Sequence, residues 1–271
     1  MSINVSFDCY AVSDRGCCRS LNEDAYICNP EKGLFLVADG MGGENCGEVA
    51  SRLTADYFEN AITPFIIDED ATIPFEQPYE ADPFLNAIAH AMKQTNHSVL
   101  EFAKENPSHR GMGSTLTAAV VHEGSLYVAH VGDSRLYKFE KRQPVQITED
   151  HTRVQELVKK NLLSSEEARN HRQRHILTQC VGRKKKFKPD IICIETGPGI
   201  LYMICSDGLF DMLSDEEIGE TVMQSEDLEK AGKELVVLAN DRGGKDNITA
   251  VLFRQRQDNS SGESPDNGRK D

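Results

Sequence analysis

The sequence predicts an α+β domain in which two mainly antiparallel β-sheets are covered by helices, and three features point to it. Short β-rich runs recur along the chain, two of the links between them are too short for a crossover, and the helical segments stand apart from the strands instead of alternating with them.

In chain order the expected strands are "FDCYAVS" from Phe7, "LFLVAD" from Leu34, "TLTAAVVH" from Thr115, "SLYVAHVG" from Ser125, "RLYKFE" from Arg135, "DIICIE" from Asp190, "ILYMICSD" from Ile200 and "ITAVLF" from Ile248. The links "EGS" after His122 and "GDS" after Val131 are short, polar and glycine-bearing, so both are expected to join antiparallel neighbours in a meander. Helical spacing runs through "GEVASRLTADYFENAI", "DPFLNAIAHAMKQTNHSVLEFAKEN" and "EDLEKAGKELVVLANDRGG", where apolar residues return every three or four positions. Between the first two helices "TPFIIDEDATIPFEQPYEAD" is acidic and carries three prolines, which suits a surface connection. From His151 the chain is helical and then strongly basic through "GRKKKFK". After Arg254 the tail "QRQDNSSGESPDNGRKD" has no apolar residue and is expected to be disordered.

The bulk numbers restrict the function. With 271 residues, 39% of them hydrophobic, and no long interior linker, one large domain over residues 1–254 is expected. Thirty Lys and Arg stand against 44 Asp and Glu, a formal charge of −14, which disfavours a nucleic-acid binder because such proteins gain affinity by neutralising phosphates. The eight cysteines form no C-x-x-C pair and follow no secretory signal, and no stretch approaches the roughly 18 apolar residues of a membrane span. A cytoplasmic, monomeric protein away from the membrane is the expectation.

The chemistry gathers at acids placed at strand ends. "VADGMGG" is expected to end a strand on Asp39, "ICSDGLFD" ends another on Asp207, "HVGDSR" puts Asp133 at a strand junction, and "GGKDNITAVLF" puts Asp246 just before a strand. Carboxylates held together at a sheet rim would repel one another unless cations were bound. Gly40 has no side chain to block its carbonyl, and Gly42 and Gly43 would let the chain turn into a helix beginning near Glu44. An all-oxygen donor set favours Mg²⁺ or Mn²⁺ over Zn²⁺. Taken singly, each Asp-Gly is more often a turn than a ligand. Asp211 reads as a helix-start residue. In "SDRGCCRSLNEDAY", Arg19 offers a planar fork for a phosphate, and Glu23 and Asp24 could order water around metals, though an exposed ion pair would also account for them.

Eight stretches in order, "SDRGCCRSLNEDAY", "LFLVADGMGGENCGEVAS", "MGSTLTAAVV", "LYVAHVGDSRLYKF", "ITEDHTRVQELV", "EEARNHRQRHILTQCVG", "MICSDGLFDML" and "DRGGKDNITAVL", resemble the motifs of the metal-dependent type 2C serine/threonine protein phosphatases, in their bacterial style. The resemblance implies a four-layer αββα sandwich and a flap beside the active site over about residues 151–186. It implies that Asp39 bridges two Mn²⁺ or Mg²⁺ ions with the Gly40 carbonyl on one, that Asp207 and Asp246 complete the other, and that Glu23 and Asp24 contact metal-bound waters. Asp133 would share a third ion with Asp207, and Arg19 would hold the substrate phosphate. The reaction implied is hydrolysis of phosphoserine and phosphothreonine on proteins by a metal-activated water, in opposition to a cognate serine/threonine kinase. One position departs from several eukaryotic members: Met41 stands where they carry a histidine thought to act as general acid, leaving His175 on the flap or a metal-bound water as candidates. An inactive adaptor that has lost the chemistry, or a phosphatase for a small phosphorylated metabolite, are the alternatives. The basic run Lys184, Lys185 and Lys186 suggests a flap that tunes substrate choice.

Overall fold

A computed structural model of the chain describes residues 6–42, 46–68, 70–73, 82–140, 143–183 and 187–257. The described strands are β1 (Phe7–Asp14), β2 (Asp24–Asn29), β3 (Leu34–Met41), β4 (Gly113–Ser114), β5 (Leu116–His122), β6 (Ser125–Val131), β7 (Arg135–Glu140), β8 (Gln143–Gln146), β9 (Asp190–Glu195), β10 (Leu201–Cys205) and β11 (Ile248–Gln255). The helices are α1 (Cys46–Ile67), α2 (Pro83–Glu105), α3 (Arg153–Lys159), α4 (Ser165–Arg169), α5 (Asp207–Phe210), α6 (Asp215–Gln224) and α7 (Leu228–Asp241). One sheet runs β1-β11-β10-β7-β8 and the other β2-β3-β5-β6-β9, with β4 paired to β3, and every pairing is antiparallel.

The apolar residues sort into three layers of core. Alternate residues of β3, β5 and β6 pack under α1 and α2, those of β10 and β11 pack under α6 and α7, and Phe35, Val37, Val128, Ile204, Val251 and Phe253 fill the space between the sheets. Strands buried on both faces lose the apolar-polar alternation, which is why β3 reads as a continuous hydrophobic run. Phe35 from one sheet stacks on Phe253 from the other at 4.0 Å between ring centroids. This is the αββα sandwich.

The hairpin β5–β6 turns on Glu123 and Gly124, both at positive φ (48° and 78°), the backbone of a type I′ turn. The other short link behaves differently. Residues 132–134 do not join neighbours, because β6 lies in one sheet and β7 in the other. The chain crosses the sandwich there at Gly132, φ 111°, packed on the Thr115 side chain where a Cβ would sit 2.6 Å from Thr115 Cβ. The expectation that this second link also joins antiparallel neighbours fails because link length alone does not tell a hairpin from a step between stacked sheets.

Other boundaries also move. Asp39 lies inside β3, not at its end, and Asp207 opens α5 after Ser206 instead of closing a strand. Asp211 caps the C-terminus of α5 and starts no helix. Residues 63–67, read as connection, continue α1 through Pro64 because Phe65 and Ile66 pack on the core. Ordered structure runs past Arg254: the Arg256 amide donates to the Ser6 carbonyl at 2.8 Å and its Nε to Asp8 at 2.6 Å. The strands β2, β4 and β8 and helix α5 were not expected, and the helix expected to start at Asp211 is α6, which starts at Asp215. Gly43, Glu44, Lys184, Lys185, Lys186 and the tail from residue 258 lie outside the described residues. Among the described residues no helix is long and apolar enough to cross a membrane.

Candidate active site

Asp24 opens β2 and is the direct cross-strand partner of Asp39 in β3. Like charges directly opposite one another on a sheet are destabilising, so this pairing needs a compensating group. The Asp39 backbone is fixed on three sides: its N–H donates to Thr115 Oγ1 at 2.8 Å, and its carbonyl accepts from the Thr115 amide at 2.8 Å and from Ser114 Oγ at 3.0 Å. The step between sheets at Gly132 brings the buried Asp133 to the same rim. Asp207 arrives from β10 and Asp246 from the approach to β11, so the acids come from both sheets.

Electrostatics show how closely they gather. The Asp39 carboxyl is raised well above the ordinary carboxylate range by loss of water and then by the charges of Asp24, Asp207, Asp133 and Asp246. Asp133 is raised by burial, Asp207 and Asp150. Burial pushes Asp24 to about 7; hydrogen bonds to its Oδ2 from Thr249 Oγ1 at 2.6 Å and Ser206 Oγ at 2.7 Å oppose the shift, and Asp207 and Asp246 add to it. Asp24 Oδ1 and Asp207 Oδ1 are buried with no hydrogen-bond partner among the described residues.

That donor set fits hard divalent cations. Orphaned carboxylate oxygens, mutual repulsion and the lack of any sulfur donor in the five-acid group suit Mg²⁺ or Mn²⁺. Gly40 follows Asp39 under the first turn of α1, where its N–H donates to the Glu23 carbonyl at 3.1 Å and a Cβ would overlap the Gly47 carbonyl. The Glu23 carboxylate lies against Gly47 at the start of the same helix. Gly40 and Gly47 are therefore required for α1 to close over the site.

Arg19 completes the constellation. Its Nη2 pairs with Asp246 Oδ2 at 2.5 Å, and the charges of Glu23 and Asp39 also bear on it. The eight residues that the resemblance assigns to the metals and the phosphate, Arg19, Glu23, Asp24, Asp39, Gly40, Asp133, Asp207 and Asp246, occupy one connected rim.

Several residues that position this rim escaped sequence reasoning. Buried Asn247 donates from Nδ2 to the carbonyls of Arg15 and Leu21, both at 2.9 Å, and accepts from the Glu23 amide at 2.8 Å, which pins the Arg19 loop to the start of β11. Its place next to Asp246 in "GGKDN" was the available signal. Arg135 forms a two-point bond with Asp150, at 2.9 and 2.7 Å, and stacks over Phe210 at 3.7 Å, which joins the base of the flap to α5. His175 lies with Nδ1 3.4 Å from Asp207 and Nε2 3.5 Å from Asp211, and its hydrogen bond to Asp207 raises its pKa. Asp211, read from sequence as structural only, thus faces the site.

The chain has counterparts among known proteins and solved structures. Residues 19–252 match the family model described as protein phosphatase 2C. A serine/threonine phosphatase stp of Listeria monocytogenes is 30% identical over 250 residues, 90% of this chain and 94% of that protein. The crystal structure of the Mycobacterium tuberculosis serine/threonine phosphatase PstP/Ppp superposes with a TM-score of 0.81 at 33% identity, covering 93% of this chain and 100% of that one. A PstP catalytic domain solved in complex with two manganese ions superposes with a TM-score of 0.76 at 32% identity, over 93% of this chain and 100% of that one. On sequence, fold and the order of its site residues, the chain belongs to the protein phosphatase 2C family.

Proposed function

We propose that the rim hydrolyses phosphoserine and phosphothreonine on proteins, with Asp39, Gly40, Asp207 and Asp246 holding two divalent cations, Mn²⁺ or Mg²⁺, and Asp133 with Asp207 offering a third position. Bound there, such ions supply Lewis acidity and bring the pKa of a water toward neutrality. The observation that carries the reading is the meeting of five aspartates from both sheets with the Arg19 guanidinium at their edge.

The residues divide the remaining work. Arg19 offers a fork of N–H donors to the phosphoryl oxygens, and its pairing with Asp246 holds it at the rim until a phosphate competes for it. Glu23 and Asp24 accept hydrogen bonds from waters over the cluster. Met41 has no proton to give, and the His175 imidazole is engaged by Asp207 and Asp211, which favours a water at the cation site over His175 as the group that would protonate the leaving serine or threonine oxygen. No cysteine takes part.

The retained acid set argues against an inactive adaptor, and the names of the relatives favour proteins over small phosphorylated metabolites. We infer a cytoplasmic setting in which a serine/threonine kinase makes the substrate. Purified protein should hydrolyse p-nitrophenyl phosphate only with Mn²⁺ or Mg²⁺ present, and Asp39→Asn or Asp207→Asn should lower the rate by about three orders of magnitude or more while the fold persists. Full activity with chelator present overturns the reading. Faster turnover of sugar phosphates than of phosphopeptides overturns the substrate assignment alone.

A further inference from the structure

Two of the eight cysteines, Cys17 and Cys18, are adjacent in sequence, and both are exposed free thiols. They directly precede Arg19. Both side chains turn to the C-terminal end of α7: Cys17 Sγ lies 3.4 Å from Oδ1 of Asn240 in its last turn, and Cys18 Sγ lies 3.6 Å from the Gly243 carbonyl just beyond it. Their two amides converge on one acceptor, the Gly244 carbonyl, at 2.8 and 3.1 Å. Gly244 stands two residues before Asp246, the partner of Arg19. The rest of the thiols differ in setting: Cys205 is buried, the Cys28 thiol is pushed up to about 12 by burial beside Cys9, and Cys193 has no cysteine adjacent in sequence. High pKa and burial make a thiol inert, whereas exposure leaves it open to oxidants.

We propose that Cys17 and Cys18 form a reversible oxidation switch, in which a hydroperoxide converts the vicinal pair to a disulfide and thereby withdraws Arg19 from the phosphate site. One thiolate attacks the peroxide oxygen, the O–O bond breaks, and a sulfenic acid forms with release of water or alcohol. The second sulfur attacks that sulfenic sulfur and expels water, so two thiols lose two electrons and two protons and the peroxide gains them.

The geometry supplies the coupling. Neighbouring α-carbons joined by a trans peptide are about 3.8 Å apart, short of the about 4.4–6.8 Å that ordinary disulfides span, so ring closure must distort the peptide between Cys17 and Cys18. That peptide contributes the Cys18 amide to the pair that grips the Gly244 carbonyl. Distortion breaks the grip, and Arg19 and Asp246 lose their common frame. Strained, exposed disulfides are also the easily reduced ones, which makes the change reversible.

This inference rests on the proposed phosphatase reading for its effect on activity, and the test separates the two. The Mg²⁺-loaded protein, so chosen that oxidation of Mn²⁺ plays no part, is treated with hydrogen peroxide, alkylated and digested with trypsin. Cleavage after Arg15 and Arg19 yields the tetrapeptide Gly16–Arg19, whose only cysteines are Cys17 and Cys18. The expected result is a tetrapeptide short of two hydrogens and closed to alkylation. Hydrolysis of p-nitrophenyl phosphate should fall roughly tenfold, the scale of one lost charge-assisted hydrogen bond, and dithiothreitol should restore both. The double variant Cys17→Ser with Cys18→Ser should keep basal activity and resist peroxide. The switch is overturned if the tetrapeptide is alkylated at both sulfurs while activity falls, if oxidation maps to Cys9 and Cys28, if activity survives closure of the ring, or if the double variant is as sensitive as the parent. A protein inactive before peroxide whose tetrapeptide still closes sinks the phosphatase reading and leaves the thiol chemistry standing.

Discussion

Asn247 holds three separate points of the loop that carries Arg19, and it does so from a position with almost no exposure to water. Truncating it leaves two carbonyls and an amide without partners in a place solvent barely reaches. Asn247→Ala should therefore cost about 2–4 kcal/mol in urea unfolding and lower kcat/KM on p-nitrophenyl phosphate by roughly tenfold, chiefly through KM. A stability loss with unchanged KM would make Asn247 a residue of the fold alone. Asp24 carries a second residue-scale consequence. Its carboxyl is raised to about 7, above the unfolded value, so between those two values the folded metal-free protein binds more protons than the unfolded chain. Raising the pH through that window must cost stability. With chelator present, Tm should fall by a few degrees from about pH 5 to about pH 7.5, and saturating Mg²⁺ should remove that fall. A flat profile in chelator would mean that none of the raised carboxyls, Asp24, Asp39 and Asp133, takes up its proton above the ordinary range.

At the scale of elements, the flap and α5 meet at the rim. Arg135 anchors both: its guanidinium binds Asp150 at the base of the flap and stacks on Phe210 of α5, and His175 then reaches Asp207 and Asp211 across that junction. A cationic imidazole beside Asp207 competes with a metal ion for the same carboxylate. His175→Ala should therefore tighten Mn²⁺ binding severalfold by calorimetry; weaker binding would instead make His175 a ligand. How far such features can be read in the sequence depends on what fixes them. Strands β3, β5, β6, β10 and β11 announce themselves because sandwich cores demand long apolar runs, and the ligand acids because each is followed or preceded by glycine or a strand. The step of residues 132–134 from one sheet to the other was hidden, since a three-residue link looks alike within a sheet and between sheets. Asn247, Ser206 and Thr249 were hidden for another reason: the partners of their side chains lie between 41 and 236 residues away in sequence, and nothing local marks a side chain that will bond across such a distance.

For the whole molecule, the two sheets touch through an apolar layer and, at one rim, through their acids. Phe35 on Phe253, with Leu136, Tyr202 and Ile204 around them, supplies cohesion, while Asp24 and Asp39 from one sheet face Asp207 and Asp246 from the other. Packing pulls the sheets together and the rim charges push them apart. Cations held between the acids would turn that repulsion into a cross-sheet staple, so ligand binding and the closure of the sandwich become one equilibrium. A ligand that binds only the folded state adds about 2.7 kcal/mol at a hundred times its Kd. For a domain of this size that corresponds to a rise in Tm of about 5–10 °C. Mn²⁺ should give this rise in the parent protein, most of it should be lost in Asp39→Asn, and Phe35→Ala should lower Tm with and without metal by the same free energy, about 3–5 kcal/mol, because its cavity lies in the apolar layer and not at the rim. If Mn²⁺ raises Tm as much in Asp39→Asn as in the parent, the ions bind elsewhere and do not staple the two sheets.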